Sequence, residues 1–498
     1  MPTLPLGRGE LEGGEHPPLP LIQLSKTIQF RKKCMNKTVS IPLLILMTGI
    51  FQLTSNFTNI QAQSSPWSIP IQLYETNGAI HTPIVISDPS GVLNAFWSET
   101  SPDDPDVIMY ARWDGNFWSS PVDIISKNTA RKPSAAVDNS GVTHLIWTDN
   151  HLNYSQANVY ETASARAWSE PQILADSNMT AHIISDHDGT LHIGYPGTDN
   201  QGPFYISSND GGATWSSPTN IAYTSRDDAS ADFVRLAVDD SGRIHAVWSE
   251  FKLPDGWPPL GVFYANSSDG GQTWSPSMEI AGEDYDQINL NSLGENEIYV
   301  SWNGMVGVGG RYFRFSNNGG RDWSGTTEII PKGLGGTSGF PQLSLDSSGE
   351  LHFLTDYDSC AQYSSNSDEH WSEPECISGS EAMASGWIEE PALEIITGNQ
   401  LHAVFWDDRK RLWHTWKHIN APVLPTEVIP TAISQETSIP EGTTIPTPTI
   451  NKSEAELNQA SKQIFEMPKT GSAVLIGVLP VIFLVIVLLV ITSKRIKK

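Results

Sequence analysis

One arrangement of apolar and polar positions recurs along the middle of the chain. In residues 81–99, 131–149, 180–197, 232–250, 287–303, 339–357 and 389–407, two runs of alternating apolar residues flank a polar turn. Each segment reads roughly Pro-x-φ-x-φ-Asp-x-x-Gly-x-φ-His-φ-φ-Trp-x-acid, where φ is apolar. Period-two alternation puts apolar side chains on one face of a strand, and an Asp/Ser/Gly cluster between two such runs predicts a hairpin. Each hairpin is followed by an aromatic strand, a Gly-rich turn ending in Trp-Ser, and a strand starting near a proline. Examples are Trp118-Ser-Ser-Pro121, Trp168-Ser-Glu-Pro171, Trp215-Ser-Ser-Pro218, Trp274-Ser-Pro276 and Trp371-Ser-Glu-Pro374. A four-stranded unit returning about every 50 residues predicts a propeller blade, since solenoid repeats are usually shorter. Seven hairpins predict an all-β, seven-bladed β-propeller. The chain opens with an orphan outer strand at Trp67-Ser-Ile-Pro70, and the last repeat lacks such a strand after residues 412–416. The first strand is therefore expected to complete the last blade and remove an open sheet edge.

The ends of the chain read differently. Residues 39–53 are apolar, preceded by Arg31, Lys32, Lys33 and Lys37 and followed by small and polar residues up to Ala62. That is the order of a secretory signal, so residues 1–62 are expected to be an extension and signal peptide ahead of a propeller at 63–420. Residues 421–466 are rich in Pro, Thr and Ser and read as an extended spacer. Residues 473–491 carry no charge and precede a basic tail, which predicts a C-terminal transmembrane helix with the bulk of the chain outside. Just before it, Met467-Pro468-Lys469-Thr470-Gly471 resembles the LPxTG sorting signal of bacterial surface proteins, with Met in the place of Leu. The expected location is the outer face of the membrane or the cell wall.

Composition narrows the function. A formal charge of −26 excludes the basic face that nucleic-acid binding requires. Of three cysteines, Cys34 lies in the leader, and Cys360 and Cys376 form an even pair in an exported domain, where a disulfide is expected. No Cys or His spacing suits zinc, and neither a metal nor another cofactor is expected. His144, His192, His245, His352 and His402 recur once per repeat, which suits a packing residue with a satisfied ring nitrogen better than a ligand set.

Two segments carry a more specific signal. Ser208-Asn-Asp210-Gly-Gly212-Ala-Thr214-Trp215 and Ser267-Ser-Asp269-Gly-Gly271-Gln-Thr273-Trp274 match the S-x-D-x-G-x-T-W motif known as the Asp box or BNR repeat. A degenerate copy stands at Ser316–Trp323 and a remnant at Trp113–Trp118. Over residues 66–418 the chain resembles the sialidase superfamily of propellers. The resemblance implies that these boxes are structural, lie opposite the reactive face, and that six blades are an alternative count.

The repeat itself places Ile84, Ser134, His182, Arg235, Asn289, Gln342 and Ala392 at one phase of the first strands, facing the channel. Around the same mouth are expected Arg131, Arg226, Arg311, Arg409 and Lys252, with Glu99, Asp149, Glu250, Tyr357 and Asp407 at second-strand exits. Trp257 and Trp387 are loop aromatics outside the repeat pattern. Arginine forks bind carboxylates and aromatic rings cover sugar faces, so Arg131, Arg226, Arg409, His182, Gln342 and Trp257 are candidate ligand-binding residues. The resemblance further implies arginines on a carboxylate, a Tyr nucleophile and a Glu beside it. Arg235, Tyr357 and Glu250 are the candidates for such a catalytic set. The F/Y-R-I-P arginine of the family has no counterpart, because the equivalent stretch is Gly78-Ala-Ile-His-Thr-Pro83. Two functions follow: an anchored propeller that binds an extracellular glycan or surface protein, which is preferred, and a divergent exo-glycosidase of sialidase type.

Overall fold

Each repeat forms one antiparallel sheet, as its alternating pattern dictates. The computed structural model describes residues 66–426 apart from 102–103, 127–128, 199–200, 306–308, 332–339, 358 and 368–369. The first blade takes Ala79–Ser87, Leu93–Thr100, Val107–Trp113 and Val122–Ser126 in that order. The same four-strand order repeats from Arg131, His182, Ala229, Tyr285 and Gln342. In the sixth blade the outer position is shared by two short strands, His370–Trp371 and Glu375–Cys376. The predicted Cys360–Cys376 disulfide is present and ties the latter to the third strand of that blade. The single helix among the described residues is the short Gly379–Met383.

The seventh sheet closes the ring. Its strands Ile388–Ile396, Gln400–Asp407 and Arg411–His418 are joined by Ile71–Glu75 from the start of the domain. Ile71 stands opposite His414 and Glu75 opposite Arg411. The ladder begins later than the Trp67 expected from sequence. Ser68 continues the contact through Ser68 N–H to the Trp416 carbonyl at 2.8 Å, and Trp67 packs edge-on against Tyr363 of the sixth blade. Seven blades therefore replace the six of the sialidase alternative. The expected leader, the expected membrane span at 473–491, the sorting-like motif and all of the expected spacer beyond residue 426 lie outside the described residues. No helix among the described residues is long and apolar enough to cross a membrane.

Neighbouring blades are locked by a repeated polar device. In the second blade His144 Nδ1 meets Tyr154 Oη at 2.8 Å and Nε2 meets Asp138 Oδ2 at 3.1 Å. Asp186–His192–Tyr205, Asp239–His245–Tyr264 and Asp346–His352–Tyr363 repeat it. The imidazoles are thus satisfied packing residues, as their periodicity suggested. Each tyrosine then receives the outer turn of the next blade: Trp215 packs edge-on to Tyr154, Trp274 to Tyr205 and Trp323 to Tyr264. The turn is built by its own side chains. Ser208 Oγ donates to Asp210 Oδ1 at 2.7 Å and accepts from the Gly212 N–H at 2.9 Å, and Asp210 accepts from the Thr214 N–H. Ser267, Asp269 and Gly271 repeat the same bonds. Only glycine fits at 212, where φ is +84° and a Cβ would lie 1.9 Å from the Tyr154 hydroxyl.

Candidate functional site

The first strands of the seven blades surround a central cavity of about 610 Å³. An inner strand is a sheet edge, so its backbone groups need partners from elsewhere. Channel side chains supply several of them. Ser134 Oγ accepts from the Ile183 N–H, His182 Nδ1 from the Leu236 N–H, and Glu394 Oε1 from the Ser87 N–H. Ile84, Ser134, His182, Arg235, Asn289, Gln342 and Ala392, the set phased by the repeat, all line this cavity. His182 is thereby occupied by the neighbouring blade, and burial pushes its pKa down to about 3, so it is neutral at physiological pH.

The mouth is shaped by a feature that alternation does not show. At the start of the first strand the register slips in blades one, two, four, five and seven, and the extra residue takes a left-handed conformation. Thr82, Lys132, Phe233, Gln287 and Glu390 have φ between +45° and +52°. Bulges re-aim side chains, and non-glycine residues at positive φ persist where surroundings hold them. Thr82, Lys132, Phe233 and Glu390 are turned to the cavity wall by this device. Lys132 Nζ donates to the Asn178 carbonyl at 3.3 Å, and Glu390 Oε2 takes the Trp406 indole N–H at 3.2 Å. Burial raises the Glu390 carboxyl above its ordinary value.

Arg235 is the only arginine among the described lining residues. Its guanidinium donates to the Val234 carbonyl at 3.1 Å, and among the described residues no carboxylate lies within 4.0 Å of it. Burial lowers its pKa to about 10, which leaves it charged at neutral pH. Asp232, the acid that acts on it electrostatically, is engaged by the Thr180 and Phe233 N–H groups.

The three candidate catalytic residues are not brought together. Arg235 faces the cavity, whereas Glu250 is 1% exposed at the far end of the second strand of the same blade. The Glu250 carboxylate accepts from the Ser225 N–H at 2.9 Å and the Trp248 indole at 3.1 Å, so it clamps the loop leading into its own blade. Tyr357 is buried at the end of the second strand of the sixth blade, two blades away from Glu250. Neither Glu250 nor Tyr357 lines the cavity. Nor do the rim arginines converge on it. Arg131 pairs with Asp106 at 2.8 Å, Arg226 with Asp228 at 3.0 Å and Glu283 at 3.8 Å, and Arg409 donates to the Ala384 carbonyl. The candidate ligand-binding residues thus divide: His182 and Gln342 line the cavity with Arg235, while Arg131, Arg226, Arg409 and Trp257 do not. Trp257 and Trp387 are 47% and 59% exposed.

Arg311, expected among the solvated arginines of the mouth, is fully buried between the fifth and sixth blades. It donates to Thr355 Oγ1 at 2.9 Å and to the Gly310 and Asp356 carbonyls. Asp286 and Asp356 face it electrostatically, and burial raises both carboxyls to about 7 against its pull. Sequence reasoning missed the bulge residues and this cluster. The recurring x-Pro pairs Thr82-Pro83, Lys132-Pro133 and Glu390-Pro391 were the available signal for the first.

No protein-family model matches the chain, and no curated protein matches it. Among solved structures it is similar to a protein of unknown function from Dyadobacter fermentans DSM 18053, at 14% identity over 71% of this chain and 99% of that one, with a TM-score of 0.48. A PL25 polysaccharide lyase, an ulvan lyase, is similar at 11% identity over 72% and 97% of the chains, TM-score 0.49. The NanB sialidase of Streptococcus pneumoniae is similar at 13% identity over 71% and 70%, TM-score 0.40.

Proposed function

We propose that this chain is a surface-displayed, sialidase-like propeller that binds a ligand at the mouth of its central cavity without turning it over. The observation that carries this reading is the state of Arg235: a charged guanidinium without a carboxylate partner, on a cavity wall that also includes Lys132, and apart from Glu250 and Tyr357. A guanidinium in that setting takes an anionic or hydroxyl-rich group, while the expected nucleophile Tyr357 and its base Glu250 are not among the described lining residues. The exposed Trp257 and Trp387 suit the apolar faces of sugar rings, so a glycan is preferred over a protein. The Asp-box turns, the signal, the spacer at 421–466 and the sorting-like anchor complete the reading as a cell-surface protein. Residues 422–426 leave the domain against Ser347 and Thr397, on the side of the Asp-x-x-Gly turns and opposite the mouth.

The second reading is a divergent exo-glycosidase. The Glu390 carboxyl on the cavity wall, which burial holds above its ordinary value, favours it, because acid–base chemistry needs such a group. Retention on immobilised glycans tests the first reading. Arg235→Ala and Trp257→Ala should each weaken it about tenfold or more, as anchor residues do. Retention untouched by both places the binding site elsewhere, and retention on a protein partner alone removes the glycan.

A further inference from the structure

The seventh blade breaks the Asp–His–Tyr rule. Its repeated histidine, His402, meets His414 in the place of a tyrosine, with His402 Nδ1 and His414 Nε2 2.9 Å apart. Six residues before His402, where Asp138, Asp186, Asp239 and Asp346 stand in the sister blades, is the buried Ile396. The imidazoles are 1% and 0% exposed and stack with an interplanar angle of 8°. His402 Nε2 and His414 Nδ1 have no hydrogen-bond partner. Two neutral rings joined by one bond leave one outward N–H and one outward lone pair, and the lone pair is where a proton would land.

The surroundings cannot compensate that charge. From the first blade the pair is met by Trp113 and Trp118, with ring centroids 4.8 and 5.1 Å from that of His414. Asp88 of that blade is engaged by Arg112 at 3.7 Å. On the inner strand Glu394, opposite His402 in register, is held by Ser87. The N-terminal strand presents Ile71 opposite His414. The remaining titratable neighbour of His402 is His418, which acts on it in the same direction as burial, and burial holds both imidazoles well below their ordinary value. In the sister blades the carboxylate at Nε2 would accept the same proton's charge.

We propose that the His402–His414 pair makes the closing blade an acid-sensitive latch of the ring. His414 lies on the strand that holds Ile71–Glu75, the joint on which circular closure depends. An imidazole that stays neutral when folded and charges when freed favours opening progressively below its unfolded value of 6.5. The gain is about tenfold per histidine per pH unit.

Hydrogen exchange read by mass spectrometry on the full chain, corrected for intrinsic rate, tests the latch. Between pH 7 and pH 5, Ile71–Glu75 and Arg411–His418 should lose protection on the order of tenfold or more, while Leu152–Asn158 and Pro259–Ser267 hold. Uniform loss in all blades, or none, overturns the proposal. The double variant His402→Gln/His414→Gln should abolish the selective step, and its persistence would also overturn the proposal. Should that variant not fold, His414→Tyr restores the sister-blade residue and leaves one titrating ring. Its step should shrink by about tenfold, and an unchanged step counts against the latch.

Discussion

Deleting residues 66–78 from the full chain should abolish cooperative unfolding of the propeller. The deletion removes the whole Ile71–Glu75 ladder and the Ser68 bonds to the last blade. It also removes Trp67 from its edge-on contact with Tyr363 and from under Lys417, and Tyr74 from Trp97 and Glu99. Each large side chain withdrawn costs about 1.5–3 kcal/mol of burial. The strand Arg411–His418 is left as an open edge besides. Together these losses reach about 5 kcal/mol or more, comparable with the stability of an ordinary domain. A melt of the deleted protein should be broad, shifted far down, or accompanied by aggregation. A transition superimposable on that of the intact chain would mean the ring does not depend on its N-terminal strand.

Arg311→Met should be the most damaging single substitution. In four blades the second strand carries a fully buried tryptophan, Trp97, Trp147, Trp248 or Trp302, three residues after the histidine or its equivalent. In the sixth blade that slot is Thr355, and the Arg311 side chain reaches in from the fifth blade to bond it. Methionine would fill volume but lose the bonds to Thr355 Oγ1 and to the Gly310 and Asp356 carbonyls and remove the positive charge facing Asp286 and Asp356. Breaking a buried charge cluster by removing one partner costs about 3–5 kcal/mol. The pH dependence gives a second signature. A carboxyl whose folded value exceeds its unfolded 3.8 stabilises the fold below 3.8 and loses that contribution as pH rises through its folded value, here about 7. Without Arg311 both values climb further, so the deficit should be larger at pH 8 than at pH 5. Urea denaturation at the two pH values measures it, and an equal deficit would remove the electrostatic part of the explanation.

The architecture was legible because it rests on local rules. Alternation around an Asp-x-x-Gly turn fixes a hairpin wherever it occurs. Counting strands at both ends foretold the exchange of Ile71–Glu75, and the spacing of Cys360 and Cys376 within one repeat foretold their bond. The channel wall was legible for the same reason, since a period of two assigns Ser134, His182, Arg235 and Gln342 to one side of their strands. The mouth was not. A single bulge residue at Lys132 or Glu390 rotates its neighbours out of phase, and nothing in the alternation announces it. Polar residues at strand exits read alike in sequence whether they meet solvent, a backbone N–H or an ion. Glu250 clamps Ser225, Arg131 holds Asp106 and Arg311 is buried, although all three were expected around the mouth. Side-chain fate at those positions depends on the neighbouring blade, which a linear repeat does not contain.

Turnover is the measurement that bears most directly on the account. Purified protein should be incubated with fluorogenic sialosides and a panel of other terminal glycosides from acidic to neutral pH, beside its Tyr357→Phe and Arg235→Ala variants. The account predicts no hydrolysis by any of the three, and glycan retention that falls with Arg235→Ala while Tyr357→Phe keeps it. Hydrolysis by the unaltered protein that disappears with Tyr357→Phe would contradict it, because a residue placed here in a buried blade interface would then be acting on substrate.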